Sequence, residues 1–381
     1  MDFQLTEEQQ MVRETIRDFA LTELAPTIAE RDEKEEYPHE AIKKLGELGF
    51  LGVTVPPEYG GAGLDMISYV IAVEELGRVD ASTSIIVSVT NSLVCYPLEL
   101  FANEDQKHRF LKPLAEGKWV GSYALTEPGS GSDAVAMKTT AVRDGDHYIL
   151  NGSKNFITSG ATSNVMLVFA VTDKEKGSHG TSAFIVEKGT PGFIVGKKER
   201  KLGIRSSDTV AVNFEDCRVP VENRLGEEGK GFRIALTALD SGRVGVAAQA
   251  IGIAQGALDE SIKYSKERYQ FGRPIAKFQA IQFKLARMQM EVEAGRLLLY
   301  SAAHKKDRGE NYIKEAAIAK LFCSEVAVRT ALEAIQIHGG YGYIKEYPVE
   351  RFLRDAKITT IYEGTNEIMH LIIAERILKQ S

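Results

Sequence analysis

The chain is poor in cysteine, proline and tryptophan, with three, eleven and one of these among 381 residues. Its cysteines, Cys95, Cys217 and Cys323, are far apart and odd in number. This excludes a disulfide framework, and no C-x-x-C spacing suggests a zinc site. We expect three buried thiols, because free cysteine behaves as a small hydrophobic residue. Such cysteine usage fits a reducing compartment and predicts a cytoplasmic protein.

The chain also has no net positive charge, and its sequence shows neither long apolar runs nor metal-ligand clusters. Its net charge of −6 argues against a nucleic-acid-binding surface. We expect that no apolar run approaches the ~18 residues that a membrane-spanning helix needs. The acidic N-terminus, MDFQLTEEQQ, has neither the apolar core of a signal peptide nor the arginines of a transit peptide. No second histidine stands at metal-ligand spacing from His338. We therefore expect no nucleic-acid partner, no membrane partner and no metal.

The N-terminal part reads as helical. Thr6 and Gln9 make a capping box, apolar residues at helical spacing follow, and Pro26 marks an end. Helical patterns then continue to about residue 120, some of them so apolar that we expect them to be buried. This predicts an N-terminal all-α domain over residues 1–120.

Turn signals crowd together over residues 121–228 and separate short β-type runs. The expected turns are Asp144-Gly145, Asn151-Gly152, Lys188-Gly189 and Pro191-Gly192. The expected strands include His147–Leu150, Val165–Val168, Ala183–Val186 and Thr209–Phe214. Such spacing predicts a small sandwich or barrel domain. After Gly231 only two prolines occur, and long helical patterns predict a C-terminal helical bundle over residues 229–381. The α, β, α order without βαβ alternation predicts an α+β fold.

The stretch TEPGSGSDA formally contains the dinucleotide-binding pattern G-x-G-x-x-A at Gly129, Gly131 and Ala134. That pattern requires a preceding strand and a following helix, whereas Pro128 precedes the glycines and β-type sequence follows. We interpret the stretch as a loop of small residues that lets backbone N–H groups approach a ligand. A plain surface loop is equally typical of such a sequence.

Four other stretches are weak signals when taken alone. The triplet Phe156-Ile157-Thr158 is typical of strand packing, and the Gly339-Gly340 pair in QIHGGYGY is typical of a helix C-cap. In ERYQFGRPIAKFQ, an arginine and a glutamine could hold an anionic cofactor or simply end a solvated helix. In IYEGTNEI, Thr365 is a plausible N-cap, so a capping turn would explain the stretch.

Together, however, these stretches occur in the order and spacing of one family. The motifs RDAKITTIYEGTNEI, YALTEPGSGSD, F-I-T, R-x-x-F-G-x-P and Q-x-x-G-G-x-G-Y make the whole chain resemble the acyl-CoA dehydrogenase family. The resemblance is greatest to the bacterial short-chain, butyryl-CoA type. It implies an N-terminal helical domain, a middle β-barrel or sandwich domain and a C-terminal four-helix bundle. It also implies bound FAD, a homotetramer and transfer of electrons to an electron-transfer flavoprotein.

The resemblance also assigns residues. The catalytic base would be Glu363, and the acyl-CoA would meet Ser132, Asp240, Ser241, Gly242, Arg243 and Gly364. The flavin would be lined by residues 123–132, including Tyr123, Ala124, Leu125, Thr126, Gly131 and Ser132, and packed by Phe156, Ile157 and Thr158. The adenosine and pyrophosphate end of a neighbouring subunit's FAD would be held by Arg268, Gln279, Gln336, Ile337, His338, Gly339 and Gly340. Further FAD contacts would come from Thr365, Asn366 and Glu367.

The family's chemistry explains these residue types. Glu363 would take the α-proton of the thioester while the β-hydrogen leaves as hydride to flavin N5. The enolate oxygen would receive hydrogen bonds from the backbone N–H of Glu363 and a ribityl hydroxyl. An apolar pocket, to which Tyr362 would contribute, would raise the pKa of the acid towards the working pH. The product would be a trans-2-enoyl-CoA.

Two departures from the family pattern narrow this expectation. Phe156 stands where many members have tryptophan, so docking of the electron partner could differ. Some branched- and long-chain relatives carry their base near LDSGR, where this chain has Gly242. Glu363 is then the remaining candidate base, and short or medium straight chains are favoured. The alternatives are a branched-chain or aromatic acyl-CoA dehydrogenase, an acyl-CoA oxidase, and a non-catalytic relative that keeps the fold.

Overall fold

A computed structural model describes residues 4–379 of the chain. The outermost residues of the two predicted terminal domains, 1–3 and 380–381, lie outside the described residues. The observed order is helical, then β, then helical, so the predicted α+β class is confirmed.

The N-terminal region is a set of short helices. They are α1 Glu7–Phe19, α2 Ile28–Lys34, α3 His39–Glu47, α4 Met66–Gly77, α5 Ala81–Val89, α6 Tyr96–Phe101, α7 Glu104–Gln106 and α8 Lys112–Ala115. The predicted capping box is present, since Thr6 Oγ1 accepts from Gln9 N at 3.2 Å and Gln9 Oε1 accepts from Thr6 N at 3.1 Å. A π-helical segment, Ala20–Leu24, extends α1 to the region of Pro26.

One continuous helix corrects the expectation that no apolar run is long enough to span a membrane. A π-helical segment, Thr90–Cys95, joins α5 to α6. The resulting Ala81–Phe101 helix is long and apolar enough to cross a membrane by length and composition. However, 78% of its most apolar window is buried inside the protein, as in the core helix of a globular domain. The burial expected for the apolar helices is therefore confirmed.

The middle region forms one sheet of eight strands in the described residues. They are β1 Gly121–Ala124, β2 Thr140–Asp144, β3 His147–Thr158, β4 Val165–Val171, β5 Thr181–Glu187, β6 Phe193–Lys198, β7 Thr209–Pro220 and β8 Arg224–Leu225. The path runs β6-β7-β3-β2-β4-β5-β8, and β1 pairs in parallel with β4. The four expected strands all lie within β3, β4, β5 and β7.

The turn expected at Asn151-Gly152 is wrong. Both residues lie inside β3, where the pairing with β7 slips between Leu150 and Gly152. Gly152 has a φ of 146°, and a Cβ there would lie 2.5 Å from Thr139 Oγ1. The glycine is therefore needed for a bulge and for a close approach to the residue just before β2, and in sequence such a glycine looks the same as a turn.

The C-terminal region is dominated by three long helices, α9 Gly231–Glu267, α10 Gln279–Asp307 and α11 Ile313–His338. Two shorter helices, α12 Val349–Ile358 and α13 Asn366–Leu378, pack against them, and a small hairpin, β9 Tyr269–Gln270 and β10 Arg273–Pro274, precedes α10. The expected helical stretches at 275–300 and 312–337 correspond to α10 and α11. The cap at Gly339 is confirmed, with a φ of 61°.

The first half of α9 lies where the three regions meet. One hydrophobic core joins Val73 of α4 and Ile85 of α5 to Val244 of α9. A second core joins Leu98 of α6 and Phe169 of β4 to Ala235 of α9. Because both cores include α9, this part of the helix contacts all three regions. Asp240 to Arg243, singled out from the sequence, lie there.

Candidate functional site

Glu363 lies in a tight loop between α12 and α13. Asn366 N donates to Thr360 O at 3.1 Å and thereby closes the loop. Glu363 has a φ of 53° and Gly364 a φ of 97°. Left-handed backbone is uncommon for a residue with a Cβ and costs about 1–3 kcal/mol. Thr365 Oγ1 accepts from Ile368 N at 3.4 Å, so the expected N-cap of α13 is confirmed.

The carboxylate of Glu363 is buried without a partner. Within residues 4–379, neither Oε1 nor Oε2 receives a hydrogen bond. Burial raises the pKa of Glu363 to about 7, although Lys320 and Arg243 oppose the rise with their positive charges. A buried carboxylate with no donor costs a few kcal/mol. Such a cost is typical of an acid kept for chemistry.

Gly242 of α9 gives this carboxylate its space. A Cβ at position 242 would lie 1.9 Å from Glu363 Oε2 and 2.7 Å from Leu93 Cδ2. No side chain of any size could therefore occupy position 242 while Glu363 keeps this conformation. The glycine acts through close approach, since its backbone is ordinary α-helix.

Three tyrosines surround the acid, and their hydroxyls are bonded elsewhere. Tyr69 Oη shares a hydrogen bond with Ser88 Oγ at 3.0 Å, and Tyr123 Oη donates to Ala235 O at 3.1 Å. Tyr362 Oη donates to the side-chain oxygen of Gln249. Burial, with the Glu363 charge nearby, raises the pKa of Tyr69, Tyr123 and Tyr362 well above the usual value of 10. All three rings therefore stay neutral and give the acid an apolar surrounding.

Of the six residues expected to meet substrate, four lie near this acid: Asp240, Gly242, Arg243 and Gly364. Arg243 Nη1 donates to Asp240 Oδ1 at 2.5 Å, and a Cβ on Gly364 would lie 3.9 Å from Arg243 Nη2. Burial raises the pKa of Asp240, while Arg243 opposes that rise. Ser241 is turned away and accepts from Lys306 Nζ at 2.5 Å. Ser132 is exposed on its loop.

Lys320 of α11 is a site residue that the motifs did not single out. Its side chain is fully buried, and Nζ donates to Gly364 O at 2.8 Å and to Asn366 Oδ1 at 2.9 Å. Burial lowers the pKa of Lys320 to about 7, although Glu363 opposes the fall. A signal was present in the sequence. Small residues, Ala316 and Cys323, flank this lysine at helical spacing, a pattern of a buried helix face.

A buried ion pair holds the TEPGSGSD loop against β3. Lys154 Nζ donates to Glu127 Oε1 at 2.8 Å and to Leu125 O at 3.1 Å, and its side chain is fully buried. Asn155 N donates to Thr126 O at 2.8 Å. A Cβ on Gly131 would meet nothing within 4 Å. The loop is thus anchored at its base, and its glycines face open space.

The F-I-T triplet ends β3 beside that loop. Phe156 is 63% exposed and has a φ of 59°, whereas Ile157 is buried. Ile157 pairs with Val210 and Thr158 with Thr209 across the sheet. An exposed aromatic ring in left-handed backbone, next to a loop whose glycines face open space, makes an open platform for a planar ligand.

A separate cavity of about 480 Å³ is lined by residues of both the R-x-x-F-G-x-P and the Q-x-x-G-G motifs. Its walls include Arg268, Ile337, His338, Gly339 and Gly340. The His338 ring stacks on Tyr264 with centroids 4.2 Å apart, and Arg268 lies over Tyr341 at 5.4 Å. Gln279 and Gln336, which were expected to bind the same part of FAD, are exposed and do not line the cavity.

Another cavity, of about 420 Å³, lies at the start of α13. Its walls include Thr365, Asn366 and Glu367, with Arg329 of α11 opposite. The two cavities share no lining residue. The structure therefore divides the predicted cofactor residues into the sheet platform and two C-terminal cavities.

The three cysteines are free and buried, as expected. In the described part of the chain, no group of three or more His, Cys, Asp or Glu side chains is arranged to hold a metal ion.

Comparison with known families gives this arrangement its class. Models of the acyl-CoA dehydrogenase N-terminal, middle and C-terminal domains match residues 6–118, 122–217 and 229–378. The chain therefore belongs to the acyl-CoA dehydrogenase family of flavin-dependent oxidoreductases.

Within the family, the chain is similar to short-chain members. It is 51% identical to the short-chain-specific acyl-CoA dehydrogenase of Clostridium acetobutylicum, with full coverage of both chains. It is 52% identical to the solved butyryl-CoA dehydrogenase of Megasphaera elsdenii, with a TM-score of 0.98 over 99% of this chain and 100% of that one. A chain solved in work on the electron transferring flavoprotein of Acidaminococcus fermentans is 54% identical, with a TM-score of 0.99 and full coverage of both chains.

Proposed function

We propose that this acyl-CoA dehydrogenase is an FAD-dependent enzyme that converts a short- to medium-chain acyl-CoA to the trans-2-enoyl-CoA, with Glu363 as the base. One observation carries the proposal. Both oxygens of the Glu363 carboxylate are buried and without a hydrogen-bond partner in the described chain, against Gly242. A structural acid would be paired at that depth. An acid that must accept a proton from substrate has to keep its lone pairs free.

The surroundings of Glu363 suit proton abstraction near neutral pH. A general base works best when its pKa lies near the working pH. Burial raises the pKa of Glu363 to about 7, while Lys320 and Arg243 limit the rise. The neutral tyrosine rings exclude water, so the carboxylate is poorly solvated and correspondingly basic. The backbone N–H of Glu363 is the proposed donor to the enolate oxygen that forms as the α-proton leaves.

The residues beside the base support a short acyl chain. A Cβ on Gly245 would lie 2.3 Å from Ser88 Oγ and 2.5 Å from Tyr69 Oη. These groups therefore form a closely packed wall next to the acid. The relatives named for short-chain or butyryl-CoA substrates support the same substrate class. Arg243 and Asp240, which pair with each other near the acid, are proposed to meet the polar part of the acyl-CoA.

The residues present fit FAD. The exposed ring of Phe156 and the open space beside Gly131, where backbone can approach a ligand closely, are suited to a flavin and its phosphates. Arg268 provides a planar cation for the pyrophosphate, and a Cβ on Gly339 or Gly340 would meet nothing within 4 Å. A bound FAD would supply the acceptor for the β-hydrogen of the substrate.

An exposed apolar stripe on α10 supports assembly into a homo-oligomer. Phe283, Met290 and Leu297 are 69%, 63% and 53% exposed and recur every seven residues, so they share one helix face. Phe271, in the hairpin before α10, is 92% exposed. A monomer seldom leaves such a stripe in water. We propose that a second subunit covers it, and that the cavity around Arg268 then receives a neighbour's FAD, in a tetramer.

The electrons are proposed to pass to an electron-transfer flavoprotein. The similarity to a chain solved in work on such a flavoprotein supports this acceptor. The whole proposal is tested by anaerobic titration of the purified yellow enzyme with acyl-CoAs of increasing length, while flavin absorbance is followed. We expect butyryl-CoA to bleach the flavin and long-chain acyl-CoA not to bleach it. Absence of bleaching by every acyl-CoA would overturn the proposal.

A further inference from the structure

We propose that Lys320 is a positioning residue for the base: its ammonium fixes the Glu363–Gly364 backbone through the Gly364 carbonyl and places a positive charge beside the carboxylate. The inference rests on the proposed role of Glu363. Lys320 belongs to α11, contacts the loop at Gly364 and would act on the reaction only through Glu363.

The hydrogen bonds of Lys320 carry the inference. Nζ donates to Gly364 O at 2.8 Å and to Asn366 Oδ1 at 2.9 Å. Ser324 Oγ, one turn further along α11, donates to the same Asn366 Oδ1 at 3.1 Å. The loop is therefore tied to α11 on both sides of its N-cap. Because Glu363 is held in left-handed backbone, the loop needs such contacts to keep this conformation.

The location of Lys320 is costly and therefore informative. A fully buried lysine loses its hydration, and an ammonium near the first turn of α13 also opposes the helix dipole. A leucine or methionine would pack in the same space without either cost. The retained amine makes sense where the Gly364 carbonyl must be held and the charge of Glu363 balanced.

The charged groups around Lys320 make its titration depend on the base. Glu363 and Glu367 face it with negative charge and favour its protonated form, while Arg243 and burial oppose that form. In turn, the charge of Lys320 favours the ionised form of Glu363. Burial brings the pKa of each group to about 7, so the two titrate as a pair rather than separately.

The test is the pH dependence of flavin reduction in a single anaerobic turnover with butyryl-CoA. Replacing Lys320 with methionine removes the donor and the charge. We expect Lys320→Met to slow reduction roughly tenfold to a hundredfold, because the base is less well placed. We also expect the pH midpoint to rise by about one unit, because the opposite charge is lost. A general loss of folding would lower the FAD-loaded fraction and leave the midpoint of the remaining enzyme unchanged.

Two further variants separate the contributions. Lys320→Arg keeps the charge and should hold the midpoint within a few tenths of a unit of wild type. Lys320→Gln keeps a donor without the charge, and it should shift the midpoint even where Lys320→Met does not fold. The matched control is Lys305→Met. It breaks an ion pair in the helical bundle, between Lys305 Nζ and Glu315 Oε1 at 2.6 Å, that does not involve the base. It should leave rate and midpoint unchanged.

A second readout is independent of turnover. The carboxyl stretch of Glu363 is isolated by difference infrared spectra between wild type and Glu363→Gln, and its titration is compared with that in Lys320→Met. Suppose that butyryl-CoA bleaches the wild-type flavin, but that neither the pH midpoint of flavin reduction nor the infrared midpoint of Glu363 moves in Lys320→Met and Lys320→Gln. The inference is then overturned while the proposed function stands. If wild type is not bleached, the proposed function fails, and the infrared midpoint alone decides whether Lys320 acts on Glu363.

Discussion

The α-carbon of Gly242 lies against the carboxylate of Glu363, so that a methyl group at position 242 would be 1.9 Å from Glu363 Oε2. Gly242 belongs to α9 and Glu363 to the loop between α12 and α13, and their contact defines the position of the proposed base. We expect Gly242→Ala to displace Glu363 and to slow flavin reduction by butyryl-CoA at least about a hundredfold. Stopped-flow absorbance measures this rate.

The control for this prediction is the flavin itself. Gly242 lies within α9 and has ordinary helical backbone. Alanine is the better helix former, so FAD content and helical circular dichroism should be retained. A Gly242→Ala enzyme that reduces its flavin at the wild-type rate would show that Glu363 need not occupy this position.

A second prediction concerns pH. Burial raises the pKa of Glu363 to about 7, so the acid is protonated below that pH and cannot accept a proton. The rate of flavin reduction should therefore fall about tenfold per unit as pH drops below about 7, and should level off above it. An ordinary exposed glutamate would keep the rate constant down to about pH 5. A profile that is flat between pH 5 and pH 8 would contradict the assignment.

The buried pair under the TEPGSGSD loop gives a third prediction. Lys154→Met leaves Glu127 buried without its counter-ion, which costs about 3–5 kcal/mol. We expect the unfolding temperature of the FAD-loaded enzyme to fall by at least about 5 °C. The matched control is Lys118→Met, which breaks the exposed Lys118–Glu116 pair at 2.7 Å. It should change the unfolding temperature by less than about 2 °C. Equal effects would refute the anchoring role of Lys154.

The apolar stripe on α10 gives a fourth prediction. Replacing Phe283 and Met290 by glutamate should prevent a neighbour from covering the stripe. Size-exclusion chromatography with light scattering should then show a smaller assembly that also loses FAD on dilution. Val142→Glu, at a residue on β2 that is 64% exposed, is the control and should leave the assembly intact. An unchanged mass for the double variant would place the subunit interface elsewhere.

Much of the fold could be predicted from local sequence. The capping box at Thr6, the four expected strands and the N-cap at Thr365 depend on neighbours within a few residues, and all three expectations are confirmed. The Asn151-Gly152 expectation failed because a bulge and a turn both require a glycine with unusual backbone. Only the facing segment, where Thr139 just before β2 lies against Gly152, distinguishes the two.

The candidate site was only partly predictable, because its contacts join residues that are far apart in the sequence. Glu363 and Gly242 were recognised by motif, but their contact depends on how α9 packs against the loop before α13. Lys320 belongs to none of the family motifs. Its role depends on its contact with the carbonyl oxygen of Gly364, which is 44 residues away along the chain. The small residues that flank Lys320 predict that it is buried, but they do not predict which groups it contacts.

The most direct test of the central claim is a single anaerobic turnover of Glu363→Gln with butyryl-CoA. Glutamine keeps the size of the side chain and cannot take a proton, so FAD and acyl-CoA should still bind. We predict that the variant stays yellow and that its flavin is reduced at least about a thousandfold more slowly than in wild type. Reduction at the wild-type rate would contradict the claim that Glu363 is the base.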